Sequence, residues 1–329
     1  MINISDCRIN IDESQLKQII DAFVSVYGEE RRQEIEKKIY SIKIFIFKPD
    51  EEFKKQQEGI DTKEIRDLKE NLIVDELKDI DFLSPLDKKE MDNIIRLGGS
   101  FCGTELAHTK NGIGPVHFIC VNIESEVDCA DHVIFHEINH VLETSIVIPE
   151  SGDTCIVKSG WDQKNVSMKD GSVEPMKINE FRCGDHELFN EIINDLVAEQ
   201  AVRKFHEQGH RIASDPKKAV YNYAWYRDVE FLVKDFFDRY REDIMKSRTG
   251  ESQELFDKIG LDNFEELNSL VNKYETSYRK IKGRMFFPRF RDTIKTEFEN
   301  LKKSVLPIKK TILEKMGIPT EEKSTAMGM

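Results

Sequence analysis

The stretch from Asp131 to Glu143 reads Asp-His-Val-Ile-Phe-His-Glu-Ile-Asn-His-Val-Leu-Glu and carries the pattern His136-Glu137-x-x-His140. On an α-helix, residues four apart project from one face a turn apart, so two neutral imidazoles at 136 and 140 can grip one metal ion. Glu137 is placed beside them, where a carboxylate can take a proton from a water that the metal polarises. Val133, Ile134, Phe135, Ile138, Val141 and Leu142 make the other faces apolar, as expected of a helix sunk in a core with its ligating face turned to a cleft. The same pattern recurs at His206-Glu207-Gln208-Gly209-His210, but with Gly209 inside the turn and Arg203, Lys204 and Arg211 around it. That context marks the polar, glycine-terminated end of a helix, where His206 and His210 are expected to be solvated. The first copy is therefore the metal helix.

A catalytic zinc takes three protein ligands and leaves its fourth position to water, so two histidines are one ligand short. A helix is expected from Asp185, its N-cap, to Val202, and within it Asn190-Glu191-x-x-x-Asp195 sets two carboxylates one turn apart among Phe189, Ile192, Ile193, Leu196 and Val197. Buried without a partner such carboxylates are costly, and a metal satisfies them. Glu191 is the first choice of third ligand, with Glu187, Asp195, Glu199 and His186 as alternatives. Asn190 and Glu143 are candidates to lie beside the ligands, and Glu143 is equally readable as a helix-end carboxylate paired with a Lys or Arg. His132, one turn before His136, and His117, on an apolar strand, are expected to be hydrogen-bonded core histidines. Hydroxide attack on an amide needs a donor for the oxyanion. Tyr221, Tyr223 and Tyr226 follow the Glu191 helix, His206 and His210 are alternatives, and Tyr223 is taken as the candidate.

Together these residues resemble the gluzincins, the thermolysin-like clan of zinc metallopeptidases, whose signature is HExxH followed on a later helix by a Glu, often as N-E-x-x-x-D. The resemblance implies that His136, His140 and Glu191 hold Zn2+ and that Glu137 is the general base. It also implies that Asp195 hydrogen-bonds the first histidine and fixes its tautomer. It covers few positions, all between residues 131 and 202, and it requires the segment 144–184 to be an insertion. A metzincin arrangement fails, because the positions that would need Gly and His after His140 are Glu143 and Ile146. The chain also looks like HExxH proteins of low-GC Gram-positive bacteria, a resemblance that supplies no substrate. The function implied is hydrolysis of peptide bonds in a peptide or protein. A zincin-like module that binds a partner or a metal without catalysis is the alternative.

Elements must position these groups. Leu16, Ile19, Ile20, Phe23, Val24 and Tyr27 follow the spacing of one helix face, with Asp12 or Ser14 as a cap and Gly28 as a break. A charged helical piece is expected from Glu29 to about Lys38, then a strand from Ile39 to Phe47. Charged helical sequence follows, with a helix from Asp87 to Leu97, and a second strand from Pro115 to Ile123 leads into the metal helix. Residues 145–185 read as hairpins and loops. From residue 215 onward amphipathic helices are expected over Ala219–Ile244, Glu251–Ile259, Asn263–Ile281 and Asp292–Met316. The fold class expected is α+β and zincin-like, with a small mixed sheet beside the HExxH helix. A catalytic region, 1–212, holds the metal helix at about 129–144 and the third-ligand helix at about 185–208, and a mostly helical lobe, 213–329, follows it across the cleft.

At 329 residues the chain can bury a sizeable core. Its net charge of −13 argues against general affinity for nucleic acid or an anionic membrane. No window approaches the roughly 18 apolar residues of a membrane span. The N-terminal sequence lacks the basic and apolar regions of a secretory leader, so a cytoplasmic site of action is expected. Six cysteines without a C-x-x-C pair read as free thiols.

Overall fold

The HExxH helix is reached through a mixed five-stranded sheet. In the computed structural model, residues 8–48, 62–83, 100–110, 112–123, 129–148, 153–169, 171–175, 177–178, 181–182, 186–214, 226–250, 252–286 and 291–319 are described. They form an α+β fold. Its contacts divide the chain into two units, Met1–Gly184 with Asn194–Tyr223, and Asp185–Ile193 with Ala224–Met329.

In the first unit, α1 (Glu13–Tyr27) starts at a capping box in which Asp12 and Gln15 exchange side-chain and backbone hydrogen bonds. It ends at Gly28, whose φ of 101° suits a residue without Cβ. α2 (Arg32–Ser41) follows, then β2 (Lys43–Phe47), which pairs with the short β1 (Arg8–Ile9). The sequence reading starts this strand too early. Ile35 and Ile39 lie one turn apart and both bury on α2, so the helix keeps Ile39 to Ser41.

The sheet order is β1-β2-β5-β4-β3, with β3 at Asp81–Phe82, β4 at Phe101–Thr109 and β5 at Gly112–Asn122. β2 and β5 run parallel and the other neighbours antiparallel. Register puts Phe45 opposite Cys120 and Ile44 opposite Ile119. Because side chains alternate, Phe45, Phe47, Phe118 and Cys120 share one face, where α3 (Thr62–Leu77) packs with Ile73 and Leu77. The expected helix at Asp87–Leu97 lies outside the described residues. α4 (Ala130–Glu143) follows β5 closely and contacts β5, β4 and α2.

A second sheet leaves directly from the end of α4. β6 (Thr144–Val147), β7 (Thr154–Ser159), β8 (Asp162–Ser167) and β9 (Val173–Pro175) form an antiparallel meander, in accord with the expected hairpins. Cys155, Val157 and Val166 pack with Leu106 of β4. β10 (Lys177–Ile178) and β11 (Phe181–Arg182) make a separate ribbon. α5 (Glu187–Glu207) then runs on as one uninterrupted helix, its first residues in the second unit and Asn194 onward in the first. Its Asp185 cap lies outside the described residues. α4 starts and ends within one residue of the expected 129–144, and α5 runs to Glu207, five residues past the Val202 expected from its apolar pattern and one short of the wider 185–208 range.

The second unit is helical: α6 (Arg227–Glu230), α7 (Lys234–Thr249), α8 (Gln253–Ile259), α9 (Leu261–Lys282) and α10 (Arg291–Lys315). The single helix expected over Ala219–Ile244 is broken, since Phe231, Leu232 and Val233 separate α6 from α7. Phe189, Phe236, Phe256 and Phe264 form its aromatic centre, with Phe189 and Phe264 edge to face at 5.2 Å. Among the described residues no helix is long and apolar enough to cross a membrane.

Candidate metal centre

α4 contains neither Gly nor Pro, and Ile134, Phe135, Ile138, Val141 and Leu142 are almost wholly enclosed. Its polar residues are buried as well, apart from the partly exposed His140. Each buried polar group must therefore find a partner. Phe135 stacks on Phe23 of α1 at 5.1 Å and meets Phe205 of α5 at 5.2 Å, which sets the two helices around it. At its C-terminus, Lys38 of α2 donates to the carbonyls of Leu142 (2.8 Å) and Thr144 (2.9 Å), a cation where the helix dipole favours one.

His136 and His140 turn their Nε2 atoms toward each other at 3.2 Å, with the rings edge to face. Two nitrogens each about 2.05 Å from a tetrahedral zinc stand about 3.3 Å apart, so this separation is what one ion would span. His136, His140 and Glu191 are all of a type that could hold a metal ion. Glu191 is held on α5 one turn before Asp195. Tyr226 donates its hydroxyl hydrogen to Glu191 Oε2 at 3.1 Å. Glu137 is buried next to His136 on α4. The chemistry and spacing of these donors fit a divalent cation of the zinc type.

The other candidates for third ligand are otherwise engaged or turned away. Glu199 accepts from Arg203, His186 lies 2.8 Å from Glu265, and Glu187 is exposed. Asp195 lies behind the histidines instead of completing their pair. Its Oδ1 accepts from His132 Nε2 at 2.6 Å and stands 3.4 Å from His136 Nδ1. Burial works against the charge on Asp195, but bonds from His132 and His136 outweigh it and hold its carboxyl below the usual range.

A polar knot behind α4 has no counterpart in the sequence reading. Tyr27 donates to Asn139 Oδ1 at 2.7 Å, and Asn139 Nδ2 donates to Asn194 Oδ1 and to Glu143 Oε1. Asn194 Nδ2 in turn donates to the backbone carbonyl of His136 at 3.0 Å. Asn139 and Asn194 are fully buried, and the signal that could have found them is an amide on an otherwise apolar helix face. Glu143 thus joins Tyr27 and Asn139, and it also acts electrostatically on Lys38. Asn190 is buried, its carbonyl accepting from Arg248 Nη2 at 3.0 Å. Tyr223 lies outside the described residues.

The expectation of a solvated His206 is wrong. His206 is enclosed and its Nε2 meets Asp131 Oδ2 at 2.8 Å, while Asp131 Oδ1 accepts from the backbone amides of Ala213 (2.6 Å) and Ser214 (3.0 Å). Arg203 and Lys204 point to solvent on the opposite side of the same turn, which is why the local composition misleads. The helix does stop before Gly209, at φ 86°, so His210 is off the helix that carries His206. Burial opposes the charge on Asp131, yet the bonds from His206, Ala213, Ser214 and Ile212 hold it ionised below the usual range. His117 is a core residue whose Nδ1 bonds Thr104 Oγ1 at 2.9 Å. Burial, with some help from Lys38, pushes it down to about 4.

With this geometry in hand, comparison with known proteins adds no relative: no family model, no curated protein and no solved structure matches the chain.

Proposed function

We propose that the chain is a zincin-like metallopeptidase of the gluzincin type, hydrolysing peptide bonds with Zn2+ held by His136, His140 and Glu191. The observation that carries this reading is the convergence of two imidazole Nε2 atoms, 3.2 Å apart on α4, with the buried Glu137 beside His136 in the chain. When bound there, zinc would polarise the scissile carbonyl and acidify a water. Glu137 would accept the proton from the attacking water and return it to the leaving amine, since a carboxylate serves both steps without changing position. Asp195, ionised behind His136, favours the tautomer with the proton on Nδ1 and leaves the Nε2 lone pair for metal. Tyr226, hydrogen-bonded to Glu191, is a further tyrosine of interest beside the proposed oxyanion donor Tyr223. Its phenol orients the third ligand.

The test is metal counting by emission spectroscopy on purified protein, together with cleavage of a peptide library with and without chelator. One zinc per chain, lost in the double variant His136→Ala with His140→Ala, and chelator-sensitive cleavage are expected. Glu137→Gln should keep the metal and lose turnover. Zinc well below one per chain, or unchanged zinc in the double variant, ends the proposal.

A further inference from the structure

We infer that His132 is a positioning residue that sets how strongly His136 grips the metal, by competing with it for one carboxylate oxygen; this rests on the zinc reading above. His132 is completely enclosed one turn before His136 on α4, and its Nε2 lies 2.6 Å from Asp195 Oδ1. The Nδ1 of the same ring is buried and has no hydrogen-bond partner among the described residues. That asymmetry fixes the tautomer. A proton on Nδ1 would be an orphaned donor in a dry site, so the single proton belongs on Nε2, aimed at Asp195.

The same oxygen is the one that faces His136 Nδ1, at the longer distance of 3.4 Å. A carboxylate that accepts the Nδ1 proton of a ligating histidine makes the far nitrogen more basic and the metal bond stronger. Here the shorter bond goes to His132, so the larger share of the Asp195 charge is spent away from His136. His132 would therefore weaken the grip of His136 on a bound zinc, at the expense of affinity.

The consequence has a direction opposite to that of ordinary damage. Removing the competitor, as in His132→Leu, should let Asp195 close on His136 and tighten zinc by about three- to ten-fold, a fraction of what outer partners of a ligand are worth in general. His132→Gln keeps an N–H donor near the Nε2 position and should return affinity to within about two-fold of the parent. Zinc affinity by competition with a chromogenic chelator at fixed pH reads all three proteins without reference to turnover.

A His132→Leu protein that binds zinc no more tightly than the parent overturns the inference. A parent that binds no zinc overturns the proposed function, and this inference with it. Should His132→Leu not fold, nitrogen-15 spectra of the imidazoles in the parent decide the matter. The Nε2–H tautomer at His132 is expected, and an Nδ1–H tautomer refutes the competition.

Discussion

Replacing Asn194 tests the link between core and site most directly, because this one amide ties α5 to the backbone of a proposed ligand. In Asn194→Leu, the bond from Asn194 Nδ2 to the His136 carbonyl disappears, and that carbonyl keeps its place in the α4 ladder. Asn139 Nδ2 loses one of its two acceptors and keeps Glu143. One lost bond at about 1 kcal/mol and one buried orphan donor at 1–3 kcal/mol give a destabilisation of about 3 kcal/mol. For a unit of roughly 200 residues that is a fall in Tm of about 6–12 °C. Asn194→Asp is nearly the same shape, but it puts an acceptor against the His136 carbonyl and a charge at a fully buried position. It should cost more than about 4 kcal/mol, if the protein folds at all. Differential scanning calorimetry of the metal-free protein measures both. A Tm for Asn194→Leu within a degree of the parent, or an Asp variant no worse than the Leu variant, refutes the assignment of the amide as donor to α4.

Two other outcomes concern pH. His117 titrates at about 4 in the folded chain against 6.5 when unfolded, so the unfolded chain takes up the proton first. Stability should fall as pH drops from about 6.5 to about 4, by about 3 kcal/mol in all. His117→Asn should lose that slope in urea midpoints taken at pH 7.5 and 4.5. Folding also depresses the pKa of Asp131, here because hydrogen bonds favour the charged form, so its contribution is complete above the unfolded value of about 3.9 and is lost as pH falls through the lower folded value. Asp131→Asn breaks a buried pair and should cost about 3 kcal/mol at pH 7. It should also flatten the acid limb of the Tm profile between pH 5 and 2.

What could be read from the sequence was local. His136, Glu137 and His140 fall on one helix because the rule that places them is the helical repeat, and Asp12 caps α1 because the capping box is written within four residues. Glu191 and Asp195 were visible as a pair for the same reason. What escaped depends on partners distant in sequence. Asn139 looked like one residue inside a motif until Asn194 and Tyr27 met it. His206 looked exposed because Arg203 and Lys204 are, and only Asp131, 75 residues earlier, makes its burial tolerable. β4 gave no clear signal by itself, and its pairing along the whole of β5 is a tertiary fact.

The tertiary facts also explain why the local motif holds its shape. Asp131 meets His206, His132 meets Asp195, and Asn139 meets Asn194, so positions rise along α4 as they fall along α5 and the helices run antiparallel. Two of these three rungs are buried carboxylate–imidazole pairs, which by themselves add little stability, because desolvation offsets their attraction. Their strictness lies elsewhere: a slip of one residue along α5 would part Asp131 from His206, Asp195 from His132 and Asn139 from Asn194 at once, in a dry interior. The register is thus fixed by penalties on every alternative. Helix continuity then places Glu191 one turn before Asp195 on α5, partly exposed as His140 is on α4. Substitutions at the buried rungs should therefore act through this register before they touch any chemistry proposed for His136 and His140.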